Sequence, residues 1–264
     1  MSVLSTGKTI RLGRLFSGGN GRSLIVALDH GLVGSLPGIE NLAGTLESVL
    51  RGHPDGVVLS VGAMPHLADQ IRGRTSVILT IDTFLTSSIP RSSPTGEAHR
   101  LLAPAEDALA MGADAVKVFM IGGQSDLAGF ADNVLRVAEV VRACDRWGIP
   151  VIVEPTLWGA AVEEGRKQDP QLIRHMVRIA FETGADVLKI PYPGPETLRE
   201  LALNMPCPIL IMGGSKMASP EDALTLVKEA IEAGARGIVF GQNVWQLPDP
   251  AVMIADLAAI VHGG

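Results

Sequence analysis

The chain has 264 residues, of which 47% are hydrophobic and 19% charged, a composition that suits one compact domain or at most two. A net charge of −6, no block of Lys or Arg, and only 4% aromatic residues argue against nucleic acid or an anionic membrane as a partner. No apolar run approaches the ~20 residues of a membrane span.

The compartment is indicated by the start of the chain and by its cysteines. Residues 1–16 lack the apolar core of a signal peptide. Cys144 and Cys207 do not have metal-ligand spacing and fit a reducing compartment, where free cysteines usually fill the core. We therefore expect a cytoplasmic protein with no metal and no other cofactor.

Short β-rich runs alternate with longer amphipathic segments from residue 23 to the end. The predicted strands are 23–29, 56–61, 76–82, 114–120, 150–155, 185–191, 207–212 and 237–241. The predicted helices are 39–52, 62–72, 103–112, 125–148, 168–183, 195–204, 219–234 and 249–262. Eight strand–helix units predict an α/β fold, a single (β/α)8 TIM barrel, since a doubly wound sheet needs a reversal of strand order and usually has fewer strands.

A repeated phrase supports stacked units of one barrel. Gly112, Gly184 and Gly234 are each followed by alanine, a polar residue and an apolar run, which predicts a left-handed glycine at a helix end and a strand directly after it. One domain, 1–264, is therefore expected, with an extension at 1–22 covering the amino end of the barrel. The Ser-, Pro- and Thr-rich segment 85–97 is predicted to be a long loop at the catalytic face.

Polar residues at the carboxyl ends of barrel strands are the functional candidates. Asp29 ends strand 1 and could move protons, or it could cap the following loop. His30 could orient Asp29, contact substrate or fill the rim. Asp82, at the end of strand 3, could bind substrate hydroxyls or begin a turn.

Two lysines interrupt apolar strands at the same place in the repeat. Lys189 lies in Val187–Ile190 and Lys117 in Ala115–Val118. Burying an ammonium is costly and favours the neutral amine, which is what imine chemistry with a carbonyl compound needs. Either lysine could form the imine, although Lys117 could instead lie on the outer strand face. Glu154, which ends strand 5, could be an acid/base group or a partner in a buried ion pair.

Small residues follow the last two strands. Gly213, Gly214 and Ser215 end strand 7, and Gly241 and Gln242 end strand 8. Loops after these strands commonly bind phosphate in TIM barrels, because bare backbone amides can surround an anion. Two tight turns are the alternative.

Taken together, an ordered set of motifs resembles the archaeal-type class I fructose-bisphosphate aldolases and their relatives. The relatives include an aminodideoxy-heptulosonate synthase and a quorum-signal-processing thiolase. The similarity covers nearly the whole chain. It rests on Gly7–Phe16, Ala27–Gly31, Ala185–Tyr192, Gly213–Lys216 and Gly241–Gln246.

The resemblance implies a (β/α)8 barrel and a lysine-dependent enzyme. Lys189 would be the Schiff-base lysine and Asp29 a proton-handling carboxylate. Gly213, Gly214 and Gly241 would line the phosphate of a small carbonyl substrate. Homo-oligomers are implied as well, since relatives often form pentamers that stack into decamers.

Three positions depart from the family's pattern. Its acid/base tyrosine falls in the segment that here contains Thr156 and Trp158, and the chain's one tyrosine is Tyr192. Its phosphate-binding arginine is replaced by neutral Gln242, which would weaken phosphate binding. Lys117 is not a usual feature of the sugar-bisphosphate aldolases.

Three functions follow as hypotheses. The first is an aldolase-type lyase in which Lys189 forms an iminium, Asp29 moves a proton, and Lys117 or Glu154 replaces the missing tyrosine. The second is a synthase or thiolase-like transferase, which the altered acid and Gln242 favour. The third is a non-catalytic ligand-binding barrel, which is disfavoured because lysines inside strands are costly.

Overall fold

The computed structural model describes residues 6–90 and 92–263. Eight parallel strands close into a barrel, in which each strand pairs with the next barrel strand along the chain and the last pairs with the first. These strands are β1 (Ser23–Ala27), β2 (Gly56–Ser60), β3 (Ser76–Thr80), β6 (Ala115–Ile121), β7 (Val151–Thr156), β8 (Val187–Ile190), β9 (Ile209–Met212) and β10 (Gly237–Phe240). The predicted (β/α)8 barrel is confirmed, and each barrel strand falls within its predicted run or one residue beyond it.

Helices cover the outside of the barrel. They are α1 (Thr6–Leu15), α2 (Leu42–Leu50), α3 (Met64–Ile71), α4 (Ala105–Ala110), α5 (Leu127–Trp147), α6 (Pro170–Glu182), α7 (Pro195–Asn204), α8 (Pro220–Glu232), α9 (Gln242–Trp245) and α10 (Pro250–Ala258). Short 3₁₀ turns at Asp29–Val33 and Glu164–Arg166 and a π-turn at Ala259–Gly263 complete the set. Within residues 6–90 and 92–263, no helix is both long and apolar enough to cross a membrane.

The three predicted helix-ending glycines have left-handed backbone conformations. Their φ angles are 84° at Gly112, 101° at Gly184 and 106° at Gly234. A side chain would be strained there, whereas glycine is not, so each helix can stop and the next strand can start almost at once.

The barrel interior has an apolar lower part and a polar upper part; we call the amino ends of the strands the bottom and the carboxyl ends the top. The lower layer is formed by inward-facing apolar side chains, Ile25, Ala27, Val58, Ile78, Ala115, Ile152, Val187, Leu210 and Val239. Leu15 of α1 is fully buried against this layer. Because side chains alternate along a strand, residues two positions beyond this layer point into the top.

Helix α1 is attached to the bottom of the barrel by charged side chains. Lys8 donates to Asp145 at the end of α5 (2.5 Å) and to Asp186 just before β8 (2.6 Å). Arg14 pairs with Asp114 before β6 at 3.1 Å. Residues 1–5 of the expected 1–22 extension lie outside the described residues.

A hairpin at the top was missed by the sequence prediction. Strand 3 was expected to continue through residue 82, but the barrel strand stops at Thr80, and β4 (Asp82–Leu85) pairs antiparallel with β5 (Ala98–Leu101). At this point the Asp82 carboxylate, and not a backbone carbonyl of strand β3, accepts from the Phe119 amide at 2.7 Å, and the chain turns away from the barrel. The loop predicted at 85–97 corresponds to residues 86–97, which connect β4 to β5. Residue 91 of this loop lies outside the described residues.

Candidate active site

The two strand lysines and two acidic residues meet inside the top of the barrel. Lys117 of β6 and Glu154 of β7 are each 1% exposed, Lys189 of β8 is 6% exposed, and Asp29 after β1 is 9% exposed. Lys117 therefore faces inward, and the alternative of an outer-face lysine is wrong. Period-two alternation places these side chains one step above the apolar layer.

A continuous chain of polar contacts joins the four groups. The Lys189 and Lys117 amino nitrogens each lie 2.9 Å from the same oxygen, Oε2 of Glu154. Lys117 also lies 3.1 Å from Oδ2 of Asp29. The Thr80 hydroxyl donates to that same oxygen at 2.6 Å. Thr80 was not anticipated, since a threonine inside a strand predicts only β structure.

Lys117 is held in its charged form. Burial alone would lower the pKa of Lys117, but the carboxylates of Asp29 and Glu154 outweigh that effect and raise it well above its ordinary value. An amine that is protonated at every physiological pH is a poor nucleophile, because its lone pair is occupied. Lys117 is therefore suited to act as a fixed positive charge.

Both carboxylates are held in their ionised form. Burial would raise the pKa of Asp29, but the positive charges of Lys117 and Lys189 overcome it and lower that pKa far below its usual range. The pKa of Glu154 is also lowered, because the same two lysines outweigh its burial. The buried charges thus compensate one another within hydrogen-bonding distance, as buried ions require.

His30 stands at the mouth of the barrel. Its Nδ1 lies 3.8 Å from Oδ1 of Asp29, too far for a hydrogen bond, and its ring packs edge-on against Trp245 at 5.3 Å. Burial lowers the pKa of His30, which favours the neutral ring. A Cβ on Gly241 would come within 2.3 Å of this ring, so the glycine leaves the space that His30 fills.

Asp82 forms a buried pair that sequence reasoning did not anticipate. Its Oδ2 lies 2.7 Å from Nε2 of His99 on β5, and burial raises the pKa of Asp82. Oδ1 of Asp82 and Nδ1 of His99 have no hydrogen-bond partner among the described residues. Asp82 therefore joins the hairpin to β6. A single histidine between the predicted loop at 85–97 and the predicted helix at 103–112 gave no signal for this pairing.

The residues after β9 and β10 are joined by side-chain amides. Gln242 donates to the Gly214 carbonyl at 2.9 Å, and Asn243 donates to the carbonyls of Gly213 (2.9 Å) and Ser215 (3.1 Å). Among the described residues, the backbone amides at 214–216 have no protein acceptor. Consecutive free amides can bind an anion.

The end of β7 has no acid/base tyrosine, and Tyr192 does not replace it. The Tyr192 hydroxyl donates to Glu229 of α8 at 3.1 Å, on the outside of the barrel. Burial, followed by the hydrogen bond to Glu229, raises the pKa of Tyr192 to about 12. Thr156 is fully buried and Trp158 is 39% exposed.

A cleft of about 580 Å³ lies far from these groups, at the bottom between α7 and α8. Its lining includes Arg199, Cys207 and Arg236. Burial raises the pKa of the Cys207 thiol to about 11, so the neutral thiol predominates there. The buried charges inside the barrel, and not this cleft, are the arrangement suited to chemistry.

Comparison with known proteins agrees with this geometry. The model of the DeoC/LacD family aldolases matches residues 23–247. The chain belongs to this family. It is therefore an enzyme of the aldolase type, and the family resemblance given by its motifs is confirmed.

Characterised relatives in this family include synthases. The chain is 32% identical over 258 residues to 2-amino-4,5-dihydroxy-6-oxo-7-(phosphonooxy)heptanoate synthase of Streptomyces griseus, covering 97% of this chain and 90% of that protein. It is 30% identical over 261 residues to 2-amino-3,7-dideoxy-D-threo-hept-6-ulosonate synthase 1 of Archaeoglobus fulgidus, covering 97% and 92%.

Solved structures similar to this chain include archaeal aldolases. An archaeal fructose 1,6-bisphosphate aldolase superposes with a TM-score of 0.84 at 27% identity, covering 97% of this chain and 99% of that one. A second archaeal structure, with a TM-score of 0.83 at 26% identity and the same coverage, shows the catalytic lysine covalently bound to the carbinolamine intermediate of the substrate.

Proposed function

We propose that the protein is a Schiff-base aldolase that makes or breaks a carbon–carbon bond in a sugar-like, phosphorylated carbonyl compound, with Lys189 as the nucleophile. The observation that carries this proposal is the contact of the Lys189 amino group with Glu154 at 2.9 Å, inside a barrel top that also contains a permanently charged second lysine.

The surroundings of the two lysines favour Lys189 over Lys117. Lys117 contacts two carboxylates and the face of Phe119, 3.5 Å from the ring centroid. Among the described residues, Lys189 contacts one carboxylate, Glu154, and it is the more exposed of the two lysines. A nucleophile must be reachable by the substrate, and Lys189 meets this condition better.

Glu154 is placed to handle protons during imine formation. Its Oε2 can accept a proton from Lys189, which frees the lone pair for attack on the carbonyl carbon. The resulting carbinolamine loses its hydroxyl as water once that oxygen is protonated, and an iminium remains. The iminium draws electrons from the adjacent carbon–carbon bond, which can then break or form.

Asp29 and Lys117 supply the electrostatic setting. Asp29 accepts from Thr80 and pairs with Lys117, so its carboxylate is fixed in position. Fixed charges in a water-poor site stabilise developing charge more effectively than water can. After Glu154, Asp29 is the second candidate for moving a proton at the reacting carbon, and its ionised carboxylate would first accept that proton.

The loops after β9 and β10 would bind the phosphate. The amides at 214–216 have no protein acceptor among the described residues, and the Cβ position of Gly214 among them is open. Gln242 contributes an amide in place of a charge, so the backbone would carry most of the binding. The name of the Streptomyces griseus synthase contains a phosphorylated product and that of the archaeal aldolase a bisphosphate, and both names support this assignment.

Reductive trapping tests the nucleophile. Dihydroxyacetone phosphate and sodium borohydride should add the mass of the reduced adduct to the peptide that contains Lys189. Lys189→Met should abolish the adduct, while Lys228→Met, which removes an exposed lysine on α8, should keep it. An adduct on Lys117, or none on the unmodified protein, would refute the assignment.

Transfer to an acceptor is the second candidate, and the two synthase relatives favour it. Incubation with a phosphorylated ketose and a second carbonyl or thiol acceptor would separate the two reactions. A new condensed product indicates transfer, whereas free triose products alone indicate cleavage. Homo-oligomeric assembly and a cytoplasmic location stay predictions, and light scattering tests the first.

A further inference from the structure

Two aromatic side chains cover one side of the lysine cluster. The ring centroid of Phe119, on β6, lies 3.5 Å from the Lys117 amino nitrogen. Trp158, in the loop after β7, packs against Phe119 with centroids 5.4 Å apart and planes inclined by 48°. We call Phe119 and Trp158 the aromatic wall.

Access to the cluster is one-sided. Next to the aromatic wall, Lys117, Glu154 and Thr156 are at most 1% exposed, and the Thr156 hydroxyl is sealed off with no partner among the described residues. On the opposite side, Lys189 is 6% exposed and the His30 side chain 27%. The exposed edge of the cluster, at Lys189 and His30, therefore lies toward β8, β10 and β1, where the glycine-rich loops are also found, while the aromatic wall, itself partly exposed at Trp158, covers the other edge.

Glu97, just before β5, holds the loop that contains Trp158. Its Oε1 accepts from the Ala160 amide at 2.8 Å, and its Oε2 accepts from the amide and hydroxyl of Ser125 at 2.7 and 2.8 Å. Gly159, next to Trp158 in the same loop, has no room for a side chain, because a Cβ there would lie 2.0 Å from the carbonyl carbon of Gly123. One carboxylate thus joins the hairpin to both loops beside the aromatic wall.

We propose that the aromatic wall determines substrate specificity, with Glu97 as its positioning residue. A long, anionic chain on a carbonyl carbon bound to Lys189 would extend toward the free backbone amides at 214–216, where the Cβ position of Gly214 is open. Its other substituent would face the wall and would have to be small, such as hydroxymethyl or methyl. The preferred donor is then a short ketone with one compact substituent. This inference rests on the proposed function of Lys189.

Trapping rates along a ketone series test the wall. Hydroxyacetone phosphate and its homologues with an ethyl or a butyl group in place of the methyl group would each be trapped on Lys189 with borohydride. The phosphate should lie at the glycine-rich loops, so the alkyl group would face the wall, and the ratio of the butyl ketone to the methyl ketone would be measured by mass spectrometry. Trp158→Ala should raise this ratio at least about ten-fold, because a pocket that loses its wall stops rejecting extra methylenes. Trp147→Ala, which removes a half-exposed tryptophan at the far end of α5, should leave it unchanged.

Glu97 is tested by the same ratio. Glu97→Ala should raise it, and Glu97→Gln, which keeps an acceptor of the same shape, should bring it back toward the unmodified value. Normal trapping of hydroxyacetone phosphate with an unchanged ratio in Trp158→Ala would overturn the wall and leave the role of Lys189 intact. Failure of the unmodified protein to trap any ketone would overturn the role of Lys189 and the wall together.

Discussion

Buried lysines occur at both ends of the barrel, and the two ends differ in the number of carboxylates that are present for each lysine. At the bottom, Lys8 contacts two carboxylates, Asp145 and Asp186, so one positive charge is bound by two negative ones. At the top, Lys117 and Lys189 share a single oxygen of Glu154. The bottom therefore has two carboxylates for one lysine, whereas the top has two carboxylates for two lysines, of which Lys189, among the described residues, contacts only Glu154.

This difference separates a structural lysine from a reactive one. Burial would lower the pKa of Lys8, but its two carboxylates outweigh that and raise it, so the ammonium is kept and α1 stays attached to α5 and β8. At the top, Lys117 contacts both carboxylates, Asp29 and Glu154, whereas Lys189, among the described residues, contacts Glu154 alone. In this barrel, the lysine proposed as the nucleophile is the one whose single contacting carboxylate is shared with another lysine.

Removing Lys189 should have the largest effect. Lys189→Met should lower kcat/KM on the order of 10⁴-fold, because no covalent intermediate can form. The fold should be retained, since Glu154 still pairs with Lys117. Steady-state kinetics and urea unfolding measure the two effects. Activity within ten-fold of the unmodified enzyme would contradict the assignment.

Removing the bottom lysine should do the reverse. Lys8→Met should lower the free energy of unfolding by about 3 kcal/mol, because it leaves the buried Asp186 carboxylate without its counter-charge. At 25 °C kcat/KM per folded molecule should stay the same. Chemical denaturation with parallel assays would show this, and a selective loss of kcat would instead couple the bottom to the site.

The top should also respond to acid in a defined direction. The pKa of Asp29 is lower in the folded protein than in the unfolded chain, where it is about 4. Asp29 therefore stabilises the fold above about pH 4, and this stabilisation is lost as the pH falls below that value. The difference in unfolding free energy between the unmodified protein and Asp29→Asn should be largest at pH 7 and smaller at pH 3. A difference independent of pH would refute the charge pairing.

The smallest effect is expected at the mouth. Gly241→Ala would bring a methyl group within 2.3 Å of the His30 ring, which must move. We expect KM to rise by roughly ten-fold, since small displacements at a binding site are costly. Gly62→Ala, which has open space around it, is the control. Equal KM values for both variants would show that the position of His30 does not matter.

The barrel could be predicted from the sequence because its signals are local. Each strand is a short apolar run, and glycines such as Gly184 and Gly234 mark where helices stop. The hairpin could not be predicted, since β4 and β5 are four residues long and pair across a loop. Their pairing depends on contacts between residues distant in the sequence, such as Asp82 with His99.

The site could be predicted in its residues but not in its geometry. Position in the repeat indicated Lys117 and Lys189, yet β6 is buried on both faces and gives no alternation to show which way Lys117 points. The sharing of Glu154 Oε2, and the position of Phe119 over Lys117, depend on the register between neighbouring strands. No pattern within a single strand records that register.

The shared oxygen of Glu154 has a consequence for turnover. Whenever Lys189 is occupied by a covalent bond, Glu154 still has Lys117 at 2.9 Å, so no carboxylate is left alone in the barrel. The catalytic cycle can thus use and restore one amino group while the interior stays electrically compensated. Lys117 therefore keeps Glu154 paired with a positive charge whatever the chemical state of Lys189.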